Sequence, residues 1–390
     1  MTDTGPIPRR AARQAKARRR RRRNAGVGLS VLLVAAAATG WAVYGRGGSP
    51  ADAAGGPVAT AGGTHTAAAK PAARPTATEP AGTVTLAFAG DVHFTERTAN
   101  RLGVDPALGP MSTALTAADF AMVNLESAIT TRGTPQPKKY HFRTTPDALG
   151  ALQRSGIDAV TMANNHAVDY GAQGLTDSLA AQHDSPIPVL GIGADEAAAY
   201  RPYVTTINGV RLAVVAASQV QDYTNQKFRA GPGSPGIASA LDRPRLLQAV
   251  RAAKRQADVV VVYLHWGTEG QSCPGPEQKS IAADLSAAGA TAVVGTHAHL
   301  MLGSGMLGPT YVAYGFGNFL WYGSSPYPHS DQTGVTTLTV TRGKVAKAVF
   351  TPALVDGKGV PQPQQGAAAR QITDRYAQLR GCTGLATAPH

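Results

Sequence analysis

The chain has 390 residues, 43% of them apolar and 16% charged, a globular mix long enough to bury a large core. Its formal charge is +13, but ten cations between Arg9 and Arg23 face only Asp3 in the first 24 residues. That tail carries +9 and leaves +4 for everything after it, so the basicity does not describe a nucleic-acid surface on the folded part.

In chain order, the basic tail 1–24 precedes an uncharged stretch, 25–44, with Leu29, Val31, Leu32, Leu33, Val34 and a run of alanines. A helix of ~20 such residues crosses ~30 Å of hydrocarbon. Cations on its N-terminal side hold that end in the cytoplasm and place the rest outside the cell membrane. The alternative is a cleaved signal peptide that releases a secreted chain, although the apolar core of such peptides is usually shorter. Residues 45–82 are mostly Gly, Ala, Pro and Thr, too poor in large apolar side chains to offset the entropy of ordering them. They read as a disordered linker.

From Thr83 the pattern changes to short apolar runs at 84–89, 121–123, 160–163, 212–217, 259–264, 292–294 and 335–340. Several are continuous and β-branched, as strands buried on both faces should be. Between them, Thr145, Pro146 and Asp147 open a helix through Leu149 and Leu152 that Gly156 stops. Residues 278–288 repeat the pattern, with Ile281, Leu285 and Ala288 on one face and Gly289 beyond. The alternation predicts an α/β domain over 83–354. A polar tail, 355–390, carries one helical pattern through Ile372, Tyr376 and Leu379. The two cysteines, Cys273 and Cys382, both follow the span; a bridge would tie the tail to the domain, and two free thiols are the alternative.

The chemistry falls at strand ends. The first run ends in Gly90-Asp91-Val92-His93 and the second in Asn124-Leu125-Glu126. The third leads into Asn164-Asn165-His166, the run 259–264 into His265-Trp266-Gly267, and the run through Val294 into His297-Ala298-His299. Five of the ten histidines thus sit where α/β folds gather their ligand-binding groups. Imidazole, carboxylate and amide oxygen together suit Zn, Mn or Fe. Each motif alone has a plain structural reading: Asp91 as a cap, Asn165-His166 as a turn. The constellation carries the argument.

The ordered set Gly90-Asp91, Asn124 to Glu126, Ala163-Asn164-Asn165-His166-x-x-Asp169-x-Gly171, His265-Trp266-Gly267-x-Glu269, Gly295-x-His297-x-His299 and Gly317-Asn318-Phe319 resembles the CapA family, which is similar to calcineurin-like metallophosphoesterases. The resemblance implies an α/β (α+β) fold, a four-layer αββα metallophosphoesterase-like sandwich, here preceded by one transmembrane helix. It implies two divalent metal ions, one held by Asp91, His93 and His299, the other by Asn165, His265 and His297, with Glu126 bridging where related enzymes use aspartate. Such a pair would activate water and polarise a phosphoryl oxygen. His166 is then a general acid, and Asp169 either orients it or merely stabilises its turn. Arg143, in a loop with Lys138, Lys139 and His141, either contacts an anionic substrate or belongs to a solvated charged loop. Gly270 stands where the family often has an aromatic residue, and Ala298 where proline is common.

Two functions follow as expectations. The first is an extracytoplasmic, membrane-anchored hydrolase of a phosphoester or cell-envelope polymer, linked by resemblance to capsule or poly-γ-glutamate production. The second is a non-catalytic accessory protein that binds an anionic polymer during capsule assembly or export. The expected partners are the membrane, an anionic substrate or polymer, and capsule-synthesis membrane proteins; nucleic acid is not among them.

Overall fold

The computed structural model describes residues 82–322 and 326–390. The expected span 25–44 lies outside the described residues; among those, no helix is long and apolar enough to cross a membrane. The first half of the domain contributes β1 (Thr83–Val92), β2 (Phe120–Leu125), α1 (Asp147–Arg154), β3 (Ala159–Thr161), α2 (Gly171–His183) and β4 (Val189–Leu190). Then come β5 (Tyr203–Ile207), β6 (Val210–Ser218), α3 (Arg243–Gln256), β7 (Val259–His265), α4 (Pro276–Ala287) and β8 (Ala292–Thr296). The chain closes with β9 (Met301–Leu307), β10 (Thr310–Phe316), β11 (Asn318–Leu320), β12 (Gln332–Thr341), β13 (Lys344–Val355), β14 (Pro361–Pro363) and α5 (Gly366–Leu379).

These strands form two mixed sheets, ordered β14-β13-β12-β1-β2-β3-β4, with β11 beside the end of β1, and β9-β10-β8-β7-β6-β5. β1 to β4 run parallel in the first sheet, as do β6, β7, β8 and β10 in the second. Side chains alternate across each strand. Ala87 and Ala89 of β1 therefore join Leu115, Leu149, Leu152 and Leu175 in a core under the helices on one side. Leu86 and Phe88 point the other way and meet Val259, Val261 and Tyr263 of the second sheet. Val260, Val262 and Leu264 form a third core with Leu246 and Val250 of α3 and Ile281 and Leu285 of α4. Three stacked cores make four layers, helix, sheet, sheet and helix. The continuous apolar runs are the strands that lie between two of these cores.

Tyr263 crosses the central layer, its hydroxyl donating to the Ala89 carbonyl of the opposite sheet at 2.7 Å. The hairpin of β9 and β10 is the chief element absent from the sequence reading. Its glycines break the apolar runs, and they are there because the chain terminus passes close by. A Cβ on Gly303 would lie 2.5 Å from the Leu379 carbonyl group, and one on Gly305 would lie 2.2 Å from the Ala386 oxygen. The polar tail thus packs on the domain, with Ile372 and Tyr376 of α5 buried against Met301. A disulfide joins Cys273 to Cys382, Cα to Cα 5.8 Å, and ties that tail to the loop after β7.

Candidate metal centre

Because the central strands are parallel, their C-terminal ends share one edge, and the polar motifs all emerge there. Backbone crowding explains several of the motif glycines. Asp91 N–H donates to the Gly317 carbonyl at 3.0 Å, and a Cβ on Gly90 would sit only 1.8 Å from that oxygen. Gly295 likewise gives room to the Trp266 indole, whose nitrogen would lie 2.0 Å from a Cβ. Trp266 donates to the Tyr314 carbonyl, so the strand ends of β7, β8 and β10 are locked together. His297 and His299 have φ of 99° and 55°, left-handed values that non-glycine residues adopt at a cost. That backbone turn aims both imidazoles back at the first sheet.

The first sheet supplies acids and amides. Asp91 Oδ1 accepts from Asn124 at 2.8 Å, and Asn124 Oδ1 accepts from Asn164 at 2.9 Å. Asp91 Oδ2 accepts the His297 N–H at 3.2 Å and lies 3.7 Å from His299 Nδ1. The His265 ring reaches Asn165 Oδ1 at 2.7 Å, Thr296 Oγ1 at 3.0 Å and Glu126 Oε1 at 3.5 Å. His299 Nδ1 meets Asn318 Oδ1 at 2.9 Å, a contact that fixes the orientation of the ring. Asp91, Glu126, Asn165, His265, His297 and His299 are therefore neighbours, all buried. His93 stands apart: its ring nitrogens face the backbone N–H groups of Thr95 and Tyr322, each at 3.2 Å.

Ligand-capable atoms of Glu126, His297 and His299 all lie within 4.8 Å of one another. Neither oxygen of Glu126 has a hydrogen-bond partner among the described residues, and neither does Nδ1 of His297. A buried carboxylate without donors is costly. Burial pushes Glu126 up to about 7, and burial together with the nearby Glu126 pushes Asp91 up to about 6. Burial also drives His265 down to about 4 and His297 well below its ordinary value, so both imidazoles stay neutral. Unpartnered carboxylate oxygens beside neutral imidazoles fit a divalent cation, whose charge would reverse the cost of burying the acids.

His166 donates from Nδ1 to Asp169 at 2.6 Å and points Nε2 towards Glu126 Oε1, 3.8 Å away. Asp169 also accepts the Phe142 N–H at 2.6 Å and pairs with Lys138 at 2.6 Å. Lys138 in turn donates to the Asn165 carbonyl at 2.7 Å, so it braces the loop that carries Asn165 and His166. Burial raises Asp169 to about 6 in spite of Lys138. Arg143 is exposed, with its guanidinium 4.7 Å from the centre of the Tyr170 ring. At position 270, φ is +74° and a Cβ would lie 2.6 Å from the Tyr327 ring. Tyr327 thus fills the aromatic place beside Glu269, to which its hydroxyl donates at 3.1 Å.

The sequence reading did not single out an aromatic wall along one side. Phe142 stacks on His166 at 4.1 Å, and Trp321 lies 4.5 Å from the His299 ring. Nor did it assign the amides of Asn124, Asn164 and Asn318, although all three stand inside the quoted motifs. Their side-chain bonds to Asp91, to one another and to His299 are what hold the acids and imidazoles in register.

Fold and site together define a layered α/β protein with a buried His/Glu cluster able to hold a metal ion at its strand ends. The family model described as "Bacterial capsule synthesis protein PGA_cap" matches residues 85–322, more than half of the chain, and the chain belongs to that family. It is 28% identical over 244 residues to the PGA biosynthesis protein CapA of Bacillus subtilis (strain 168), covering 61% of this chain and 63% of that one. It is 31% identical over 192 residues to a probable polyglutamine synthesis accessory protein of Mycobacterium tuberculosis (strain ATCC 25618 / H37Rv), covering 47% and 50%. The chain thus spans less than two thirds of the length of these relatives. Among solved structures, a 5'-nucleotidase from Candida albicans SC5314 aligns over 76% of this chain and 58% of its own, at 9% identity and a TM-score of 0.40. A likeness of that size decides nothing about chemistry.

Proposed function

We propose that the protein is a metal-dependent hydrolase with a metallophosphoesterase-like sandwich, anchored by its N-terminal segment outside the cytoplasm, and that it acts on a phosphoester or a cell-envelope polymer in capsule or polyglutamate production. The observation that carries this reading is Glu126, a fully buried carboxylate with no hydrogen-bond donor among the described residues, facing a neutral imidazole from the opposite sheet. Asp91, Glu126, Asn165, His265, His297 and His299 would hold the divalent metal. Divalent ions bound there would supply Lewis acidity and a water acidic enough to ionise near neutrality.

The remaining work belongs to the chain itself. His166, fixed by Asp169 and backed by Phe142, presents Nε2 to the cluster. It is placed to pass a proton to a leaving group, and Lys138 keeps Asp169 in position for it. The disulfide supports an oxidising compartment. The M. tuberculosis relative is described as an accessory protein, which keeps a binding role in contention. The two readings separate on a screen of phosphomonoesters and phosphodiesters with the full chain, loaded in turn with Mn, Zn and Fe. Metal-dependent turnover that His166→Ala removes supports the enzyme; metal uptake with no turnover on any substrate would turn the assignment to the accessory role.

A further inference from the structure

His93 occupies the position from which the family resemblance expects a ligand, and its surroundings describe a different task. A neutral imidazole has one lone pair and one N–H. Here both ring nitrogens are met by backbone N–H groups, Thr95 at Nδ1 and Tyr322 at Nε2, each at 3.2 Å. The ring can accept from only one of them, and neither nitrogen is left open. His166, His265 and His299 each have a carboxylate oxygen within 4.0 Å of a ring nitrogen, and His297 shares with Glu126 and His299 the cluster whose ligand-capable atoms lie within 4.8 Å of one another; among the described residues His93 does neither.

What the ring does touch is aromatic. Phe142 stacks on it at 4.6 Å and 16°, while the same Phe142 stacks on His166 at 4.1 Å and 24°. Two rings cannot share one face, so Phe142 is held between the two imidazoles. The edges of Trp321 and Tyr322 close the pocket at 4.5 Å and 4.7 Å. His93 is wholly buried and so fixes the depth at which Phe142 sits.

We infer that His93 is not a metal ligand but a positioning residue, which seats Phe142 against His166 and anchors the Tyr322 backbone at the edge of the site. This rests on the metal-dependent reading of the cluster. The ligand set then comprises Asp91, Glu126, Asn165, His265, His297 and His299. Stacking and van der Waals contact do not need the imidazole nitrogens, so a ring of similar size should serve.

The test measures metal content first and kinetics second, on the full chain and its His93→Phe, His93→Gln and His297→Ala variants after loading with zinc and exhaustive dialysis. Both His93 variants should keep the parental metal content, while His297→Ala loses metal. His93→Gln should lower kcat, by up to about a hundredfold if His166 shifts by ~1 Å, with KM little changed, and His93→Phe should recover most of that loss. Loss of about one equivalent of zinc from His93→Phe would overturn the inference. A His93→Phe variant that keeps its zinc but is no more active than His93→Gln would also overturn it, because the ring would then not be the working part. A parental chain that retains no zinc, manganese or iron would fail differently, by removing the metal reading on which the inference stands.

Discussion

The two sheets bring different chemistry to the site. The first delivers Asp91, Asn124, Glu126, Asn164, Asn165 and Asn318, all acids and amides, together with His166 on the loop after β3. The second delivers His265, His297 and His299, all imidazoles. Neither edge carries the whole set by itself. Glu126 and Asp91 would be uncompensated acids, and the histidines alone would bring no negative charge to the ion. The site exists because the two sheets pack face to face, so the central apolar core is as much a part of it as the ligands are.

Removing the charge from one side should have the largest effect. Glu126→Gln keeps the volume but weakens the central ligand, and it should abolish metal retention and activity together, as His297→Ala should from the other side. Metal analysis beside rate measurements on both variants checks this; a variant that loses turnover and keeps its metal would separate the halves that the account joins. His166→Ala acts at the seam. It should keep the metal and lose ~10²–10⁴-fold in rate, less for substrates with good leaving groups.

Acid should act on the two carboxylates of the first sheet. With Glu126 raised to about 7 and Asp91 to about 6, protons compete with metal at far higher pH than for ordinary carboxylates. Affinity falls as pH drops through these values, by roughly a hundredfold between pH 7.5 and 5.5 for the two acids combined. His265, held down near 4, adds nothing in that window. Equilibrium dialysis against zinc at the two pH values measures the ratio, and a pH-independent affinity would mean that these acids do not bind the ion. The smallest effect should come from the contact between the sheets. Tyr263→Phe removes the bond to the Ala89 carbonyl and should cost roughly 1–2 kcal/mol of stability, read by chemical denaturation, with the metal retained.

The cores of this fold were legible because strands buried between two layers leave continuous β-branched runs, as β7 and β1 do. Strands with another partner left no such mark. β9 and β10 carry Gly303, Gly305 and Gly315 where the terminal segment and neighbouring side chains crowd them, so their runs look broken. Helix α3 escaped notice because Arg243, Arg245, Arg251, Lys254 and Arg255 hide the spacing of Leu246, Ala249, Val250 and Ala253. At the site, acids and histidines draw the eye while the groups that orient them do not. Lys138 was visible as a loop cation, but its place on Asp169 and Asn165 depends on how the loop folds back. His93 illustrates the reverse case. Two residues past Asp91 in sequence, it lies beyond the strand end, and its ring stacks on Phe142.

The central claim is that acids of one sheet and imidazoles of the other close on the same divalent ion. Anomalous diffraction from a crystal soaked in zinc or manganese tests it most directly. A peak is expected among Glu126, His297 and His299, about 2.0–2.2 Å from a carboxylate oxygen and from an imidazole nitrogen of each histidine. A saturated crystal with no peak there, or with its metal bound to one sheet alone, would contradict it.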